Sequence, residues 1–198
     1  MAPMGNSGPG PLRGVRILDL TTVVMGPLAT RALGDLGADV LRVEAPGGDF
    51  MRHFEPKRSD GMSAFSMAVN RNKRSIALDL KTEVGREALL DLVETCDAFV
   101  TNLRPRALAS LRLTDDELRA RRPDLVYCSA TGFSSEGPYA EKPAYDDVIQ
   151  AASGLASMFS WINGEPAYIP SIVADKVASL HLTSAVLAAL YHRAMTGE

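Results

Sequence analysis

Short β-rich runs alternate with helical patterns along almost the whole chain, and this alternation restricts the fold more than any other feature. The first run covers residues 15–20. A helical stretch opened by Gly26-Pro27 follows it and is closed by Gly37. A second run, 38–44, ends at Pro46-Gly47-Gly48-Asp49, and the weak periodicity from there to about Asn72 predicts a loop. Residues 75–80 alternate as a strand. Residues 82–95 then carry Leu89, Leu90 and Val93 on one helical side, and 98–100 form the next strand. Asn102-Leu103-Arg104-Pro105 reads as a turn, and Thr114 with Glu117 as a capping box. A fifth strand is predicted at 125–130, and helices at 146–159 and 175–195.

Strands separated by helices predict an α/β fold: a Rossmann-like, mostly parallel sheet with helices on both faces. Ligands on such sheets bind beyond the carboxyl ends of the strands. That rule selects residues 21–25, 44–46, Lys81, 102–106 and 131–133 as the rim of a site. No G-x-G-x-x-G follows the first strand and no P-loop occurs, which argues against dinucleotide and nucleoside-triphosphate binding. The 198 residues are 46% hydrophobic with a net charge of −3, so nothing draws the chain globally to nucleic acid or a membrane. Cys96 and Cys128 lack metal-like spacing and read as buried thiols of a reducing, cytoplasmic compartment. The Gly/Pro-rich residues 1–11 are expected to be a flexible lead, and 12–198 one domain.

One carboxylate stands out. Asp175 lies between an apolar lead-in and a long apolar helix, where the helix N-terminus favours its ionised form. It can cap backbone N–H groups there, or serve as a nucleophile. Two basic groups, Arg71/Lys73/Arg74/Lys81/Arg86 and Arg104/Arg106, suit a phosphorylated ligand or, equally, a solvated surface.

The ordered blocks Leu12-Arg13-Gly14-Val15-Arg16-Ile17-Leu18-Asp19-Leu20, Gly26-Pro27, Leu33-Gly34-Asp35-Leu36-Gly37-Ala38-Asp39-Val40 and Val43-Glu44-Ala45-Pro46-Gly47-Gly48-Asp49 carry a resemblance. So do Asn72-Lys73-Arg74-Ser75-Ile76-Ala77-Leu78-Asp79-Leu80-Lys81, Asn102-Leu103-Arg104-Pro105, Gly132-Phe133 and Gly137-Pro138-Tyr139. From residue 12 to 198 the chain resembles the N-terminal part of the class III CoA-transferases, the formyl-CoA transferase, carnitine CoA-transferase and 2-methylacyl-CoA racemase group. The resemblance implies the CoA-binding large domain, with the small domain and the C-terminal return into the large domain absent. It implies transfer of CoA from an acyl-CoA to a small carboxylic acid, with no permanently bound cofactor and no metal. Coenzyme A and acyl-CoA are substrates.

By motif position the nucleophile falls on Asp175, which attacks the thioester to give a mixed anhydride and CoA thiolate. The acceptor carboxylate then displaces the first acid, and the thiolate returns to close the new thioester. CoA contacts fall on Val23, Met25, Leu78, Lys81, Asn102, Leu103, Arg104 and Ala107, with Lys81 and Arg104 toward the phosphates and the two leucines beside the adenine. Leu78 and Leu103 can equally be core. Tyr145 and Phe65 are expected in the acyl pocket; with Met158 and Trp161 they suggest a group bulkier or less polar than formate. The racemase branch carries a His where Tyr145 stands, so an acyl-CoA racemase or epimerase is the disfavoured alternative; a CoA-binding fragment without turnover is the other. Positions that are basic in some members are Ala45 and Ser110 here. Family chains are roughly twice as long and form interlocked homodimers. This 198-residue chain is therefore expected to be weakly active alone, and to self-associate or pair with another polypeptide.

Overall fold

A computed structural model describes residues 9–140 and 142–197; residues 1–8 of the expected lead lie outside them. Residues 9–14 form a turn docked on the first helix, with the Leu12 N–H donating to the Leu36 carbonyl at 3.0 Å.

The chain runs through β1 (Arg16–Leu20), α1 (Met25–Asp35) and β2 (Asp39–Glu44), then a 3-10 turn at Phe50–His53. A small antiparallel pair, β3 (Lys57–Ser59) and β4 (Met62–Ser63), leads into α2 (Ala64–Asn70) and β5 (Lys73–Ala77). Next come α3 (Glu83–Val93), β6 (Ala98–Thr101), α4 (Pro105–Leu111), α5 (Asp115–Arg121) and β7 (Val126–Ser129). The chain finishes in α6 (Asp146–Ala152), α7 (Leu155–Met158), α8 (Ser160–Asn163) and the 24-residue α9 (Val173–Thr196).

Five strands form one sheet in the order β5-β2-β1-β6-β7, and every neighbouring pair is parallel. Register follows side-chain parity: Leu18 sits beside Leu41 on one flank and Phe99 on the other, and all three face one core. That core is closed by Leu89, Leu90 and Val93 of α3, Leu108 of α4 and Leu118 of α5. The neighbouring Ile17, Val40, Ala98 and Val100 face the other side, where Leu33 of α1 and Leu182, Val186 and Leu190 of α9 cover them. Burying an apolar side chain of this size stabilises by about 1.5–3 kcal/mol, so both faces need their helices. By length and composition α9 could also cross a bilayer, but its Leu182–Leu190 stripe is seated in this core.

The expected loop from 49 to 72 instead holds the 3-10 turn, the β3–β4 pair and α2. α2 is only seven residues long and starts at Ser63, whose hydroxyl accepts from Ser66 N–H at 2.9 Å, too short an element to show a helical period. α4 begins directly after the predicted turn, with Pro105 in its first position, where the missing N–H costs nothing. The single helix expected at 146–159 is two pieces, α6 and α7, because Gly154 takes φ 82° and stops α6 from continuing; α8 follows beyond it. β5 ends at Ala77 rather than residue 80; Leu78 and Leu80 keep the alternation but pack from a turn.

Strand order reverses between β1 and β6, because α1 and β2 turn one way from β1 and the later strands build the other way. A crevice at such a switch point, beyond the strand ends, is where ligands of this architecture bind. The segments leaving β1 and β6 are Thr21–Met25 and Asn102–Arg104.

Candidate active site

Asp175 is the third residue of α9, not its cap: Ile172 holds the cap position and its apolar side chain makes no capping bond. Among the described residues no hydrogen bond reaches the Asp175 carboxylate, while its backbone N–H donates to Asp146 Oδ1 at 2.9 Å. Burial pushes the Asp175 carboxyl up, and the neighbouring Asp146 charge adds to it, to a pKa of about 6. The N-terminus of α9 acts in the opposite sense and does not overcome them. Asp175 is thus an unbonded carboxylate, more basic than usual and still mostly ionised at pH 7. Those are the properties of an available oxygen nucleophile.

Asp146, at the start of α6, is anchored in turn. Its Oδ2 accepts from Gln150 Nε2 at 2.6 Å, and Gln150, only 2% exposed, exchanges hydrogen bonds with the Ile169 and Ser171 backbone. In the sequence Asp146 reads only as a helix start and Gln150 has no assigned role; the signal for the pair is an acidic residue and a glutamine one helical turn apart.

Val23, Met25, Asn102, Arg104, Tyr145 and Asp175 line one cavity of about 210 Å³. Its floor is the β1–α1 loop. The Asn102 side chain holds that loop, its Oδ1 accepting from Thr22 N–H at 2.8 Å and its Nδ2 donating to Thr22 O at 2.9 Å. Val23 next to it adopts φ 67°. Such a backbone costs a β-branched residue on the order of 1–3 kcal/mol and persists only where its surroundings impose it. Its N–H donates to Asp49 Oδ2 at 3.1 Å.

A second cavity, about 300 Å³, lies on the other side of Thr22 and brings together Leu78, Lys81 and Leu103 with Ala45 and Asp49. Lys81 is exposed at its mouth and makes no ion pair among the described residues. The eight expected CoA contacts therefore divide between two adjoining cavities, except Ala107, which lines neither and sits in the first turn of α4. A third cavity of about 700 Å³ opens from Asp175 and Tyr145 toward Phe50, Phe54, Phe65 and Tyr168. Phe65 and Tyr145 thus share a cavity with Asp175, whereas Met158 and Trp161 line none of these three cavities, and Trp161 is 84% exposed.

Most of the first basic group serves the fold. Lys73 Nζ meets Asp19 Oδ2 at 2.9 Å with both side chains buried, Arg74 pairs with Asp39, and Arg71 with Asp35. Burial pulls the Lys73 pKa down against the attraction of Asp19. Burial alone would push the Glu44 carboxyl up, but Arg52, Ser75 and Arg42 hold it down to about 2. Among the described residues no three His, Cys, Asp or Glu side chains gather into a metal-binding cluster.

The sequence model of CoA-transferase family III matches residues 12–198. Succinate–glutarate CoA-transferase of Agrobacterium fabrum is 40% identical over 100% of this chain and 51% of its own length. Formyl-CoA:oxalate CoA-transferase of Streptomyces avermitilis is 40% identical over 94% of this chain and 46% of its own. The crystal structure of a CAIB/BAIF family protein from Brucella suis superposes with a TM-score of 0.91 at 38% identity, covering 96% of this chain and 52% of that one. The chain spans about half the length of the curated relatives it matches.

Proposed function

For a chain that belongs to CoA-transferase family III, we propose that the Asp175 cavity transfers CoA from an acyl-CoA to a carboxylic acid. The observation that carries this reading is the unbonded Asp175 carboxylate facing a cavity at the switch point of the sheet. An Asp175 oxygen attacks the thioester carbonyl carbon, the C–S bond breaks, and CoA leaves as thiolate, giving an acyl-aspartyl anhydride. The acceptor carboxylate attacks the aspartyl carbon and expels the donor acid. The thiolate then attacks the acceptor's carbonyl carbon, re-forming a thioester and freeing Asp175. No step consumes a proton or an external energy source, because each intermediate stays activated.

CoA lies with its thiol end over Val23 and Met25 and its nucleotide end toward Leu78, Leu103 and Lys81, with Arg104 assisting at the phosphates. Charge-assisted hydrogen bonds of this kind contribute about 1.5–3 kcal/mol each. The acyl group points into the Phe65–Tyr145 cavity. Acceptors are small carboxylic acids of the kind named for the relatives, succinate, glutarate and oxalate. The working form is an interlocked homodimer of the full-length protein in the cytoplasm. Exposed apolar residues on α9, Leu180, Tyr191 and Met195, and the free thiols Cys96 and Cys128 support that reading.

The test is acylation followed by capture. Hydroxylamine added after succinyl-CoA should leave a hydroxamate on the peptide containing Asp175. The Asp175→Ala chain should give no such adduct and still bind CoA. An adduct on another side chain, or unchanged transfer in that variant, rejects the assignment. Washing α-deuterium into a branched acyl-CoA without transfer would indicate the racemase instead.

A further inference from the structure

We propose that Asp49, anchored by Arg42, is a positioning residue of the Asp175 site that holds Val23 in its left-handed conformation and so shapes the cavity wall. The consequence for binding rests on the CoA-transfer reading above; the cause rests on geometry alone.

Val23 is one of three non-glycine residues with positive φ among those described, and it is β-branched, the side-chain type least suited to that region. Two side chains from outside the β1–α1 loop grip it, Asn102 on Thr22 and Asp49 on Val23 itself. Asp49 Oδ2 receives the Val23 N–H at 3.1 Å and Arg42 Nη2 at 2.6 Å. The other carboxylate oxygen accepts Met51 N–H at 2.9 Å, and the Asp49 N–H donates to Glu44 Oε1 at 3.2 Å. Both side chains of the Arg42–Asp49 pair are nearly sealed from solvent, at 2% and 3% exposure. Arg42 belongs to β2 at a register position opposite Asp19 of β1, so the anchor is the sheet itself. Asp49 lines neither cavity that contains Asp175, whereas Val23 lines both. Val23 is the contact of Asp49 with the wall shared by both cavities. Asp49 also caps the Phe50–His53 turn, whose Phe50 and Met51 line the larger one, and it lines the neighbouring Leu78–Lys81 cavity, so the Val23 route has to be isolated experimentally. Without Asp49, the Val23 backbone is free to relax to an extended form, which re-aims the wall against which the thiol end of CoA lies.

Amide hydrogen exchange and CoA binding on the 198-residue chain test this. In the unsubstituted chain the Val23 amide should be strongly protected; an unprotected amide sinks the proposal without any variant. Asp49→Asn, nearly isosteric, should speed Val23 exchange at least tenfold while Ile17 and Leu18 in β1 change less than twofold. CoA affinity should fall at least fivefold in the same variant. In a Val23→Gly background, where positive φ carries no strain, the same Asp49→Asn change should lower affinity less than twofold. A uniform rise in exchange, or an equal affinity loss in both backgrounds, would mean a general structural role and overturn the proposal. If the unsubstituted chain does not bind CoA, the CoA-transfer reading falls, and the exchange pattern still decides the role of Asp49.

Discussion

The carboxylate of Asp146 grips the backbone of Asp175 through a 2.9 Å hydrogen bond while its charge raises the Asp175 pKa. One side chain thus fixes where the Asp175 carboxylate sits and makes it a stronger base. Asp146→Asn keeps an oxygen to accept the bond and removes the charge. The Asp175 pKa, read by carbon-13 titration of the carboxyl, should fall below about 6 but stay above the ordinary carboxylate range, since burial is the larger cause. A pKa unmoved by the substitution would show that burial acts alone.

The same shift makes a statement about stability. A carboxyl whose folded pKa is raised contributes stability below its unfolded pKa and loses it as pH climbs through the folded value. Asp175→Asn should therefore be more stable than the unsubstituted chain at pH 7.5, by on the order of 1 kcal/mol after solvent screening, and unfold at a higher temperature. The difference should vanish near pH 4. Thermal unfolding at the two pH values reads it, and a gain that persists at pH 4 contradicts the assignment.

Lys73 and Asp19 form a buried pair at the heart of the sheet, with Thr21 and Thr30 hydroxyls also on Asp19. Lys73→Met leaves a buried carboxylate without its cation, which costs about 3–5 kcal/mol. Urea unfolding followed by circular dichroism should show a loss of that size. A loss under about 1 kcal/mol would mean that the two hydroxyls suffice to hold the charge.

A methyl group at Gly132 would lie 1.9 Å from the Cβ of Ala144. Both segments line the Asp175 cavity, so Gly132→Ala must move one of its walls. CoA binding should weaken clearly while the unfolding temperature changes little, because the contact lies in exposed loops. Unaltered binding would show that the two loops part without consequence.

Burial pushes the Cys96 thiol up to about 11, and burial also raises Cys128. Neither thiol should react appreciably with a disulfide reagent at pH 7.5 in the folded chain, and Cys96 should be the slower. Rapid modification of Cys96 without unfolding would contradict its burial.

The parallel sheet was legible because its strands carry short apolar runs at regular distances, and the site rim followed from where they end. The resemblance pointed to Asp175, which the cavity then brought beside Tyr145 and Phe65. What escaped reading depends on partners remote in sequence. Arg71, Lys73 and Arg74 look like one basic patch in a row, yet their carboxylates, Asp35, Asp19 and Asp39, stand 35 or more residues earlier. Asp49 read as the end of a turn, and only the fold reveals that it faces Val23 and Arg42. α2 and α4, at seven residues each, are too short for periodicity to announce.

The reciprocal bonds between Asn102 and Thr22 join residues 80 apart in the chain. They close only when β1 and β6 are already in register, and contacts of such separation carry a loop-closure cost that slows folding. No partly assembled intermediate lacking that strand pairing can own a finished cavity. During refolding, CoA affinity should not appear before β1 and β6 have paired, so the ligand doubles as a clock for that long-range step.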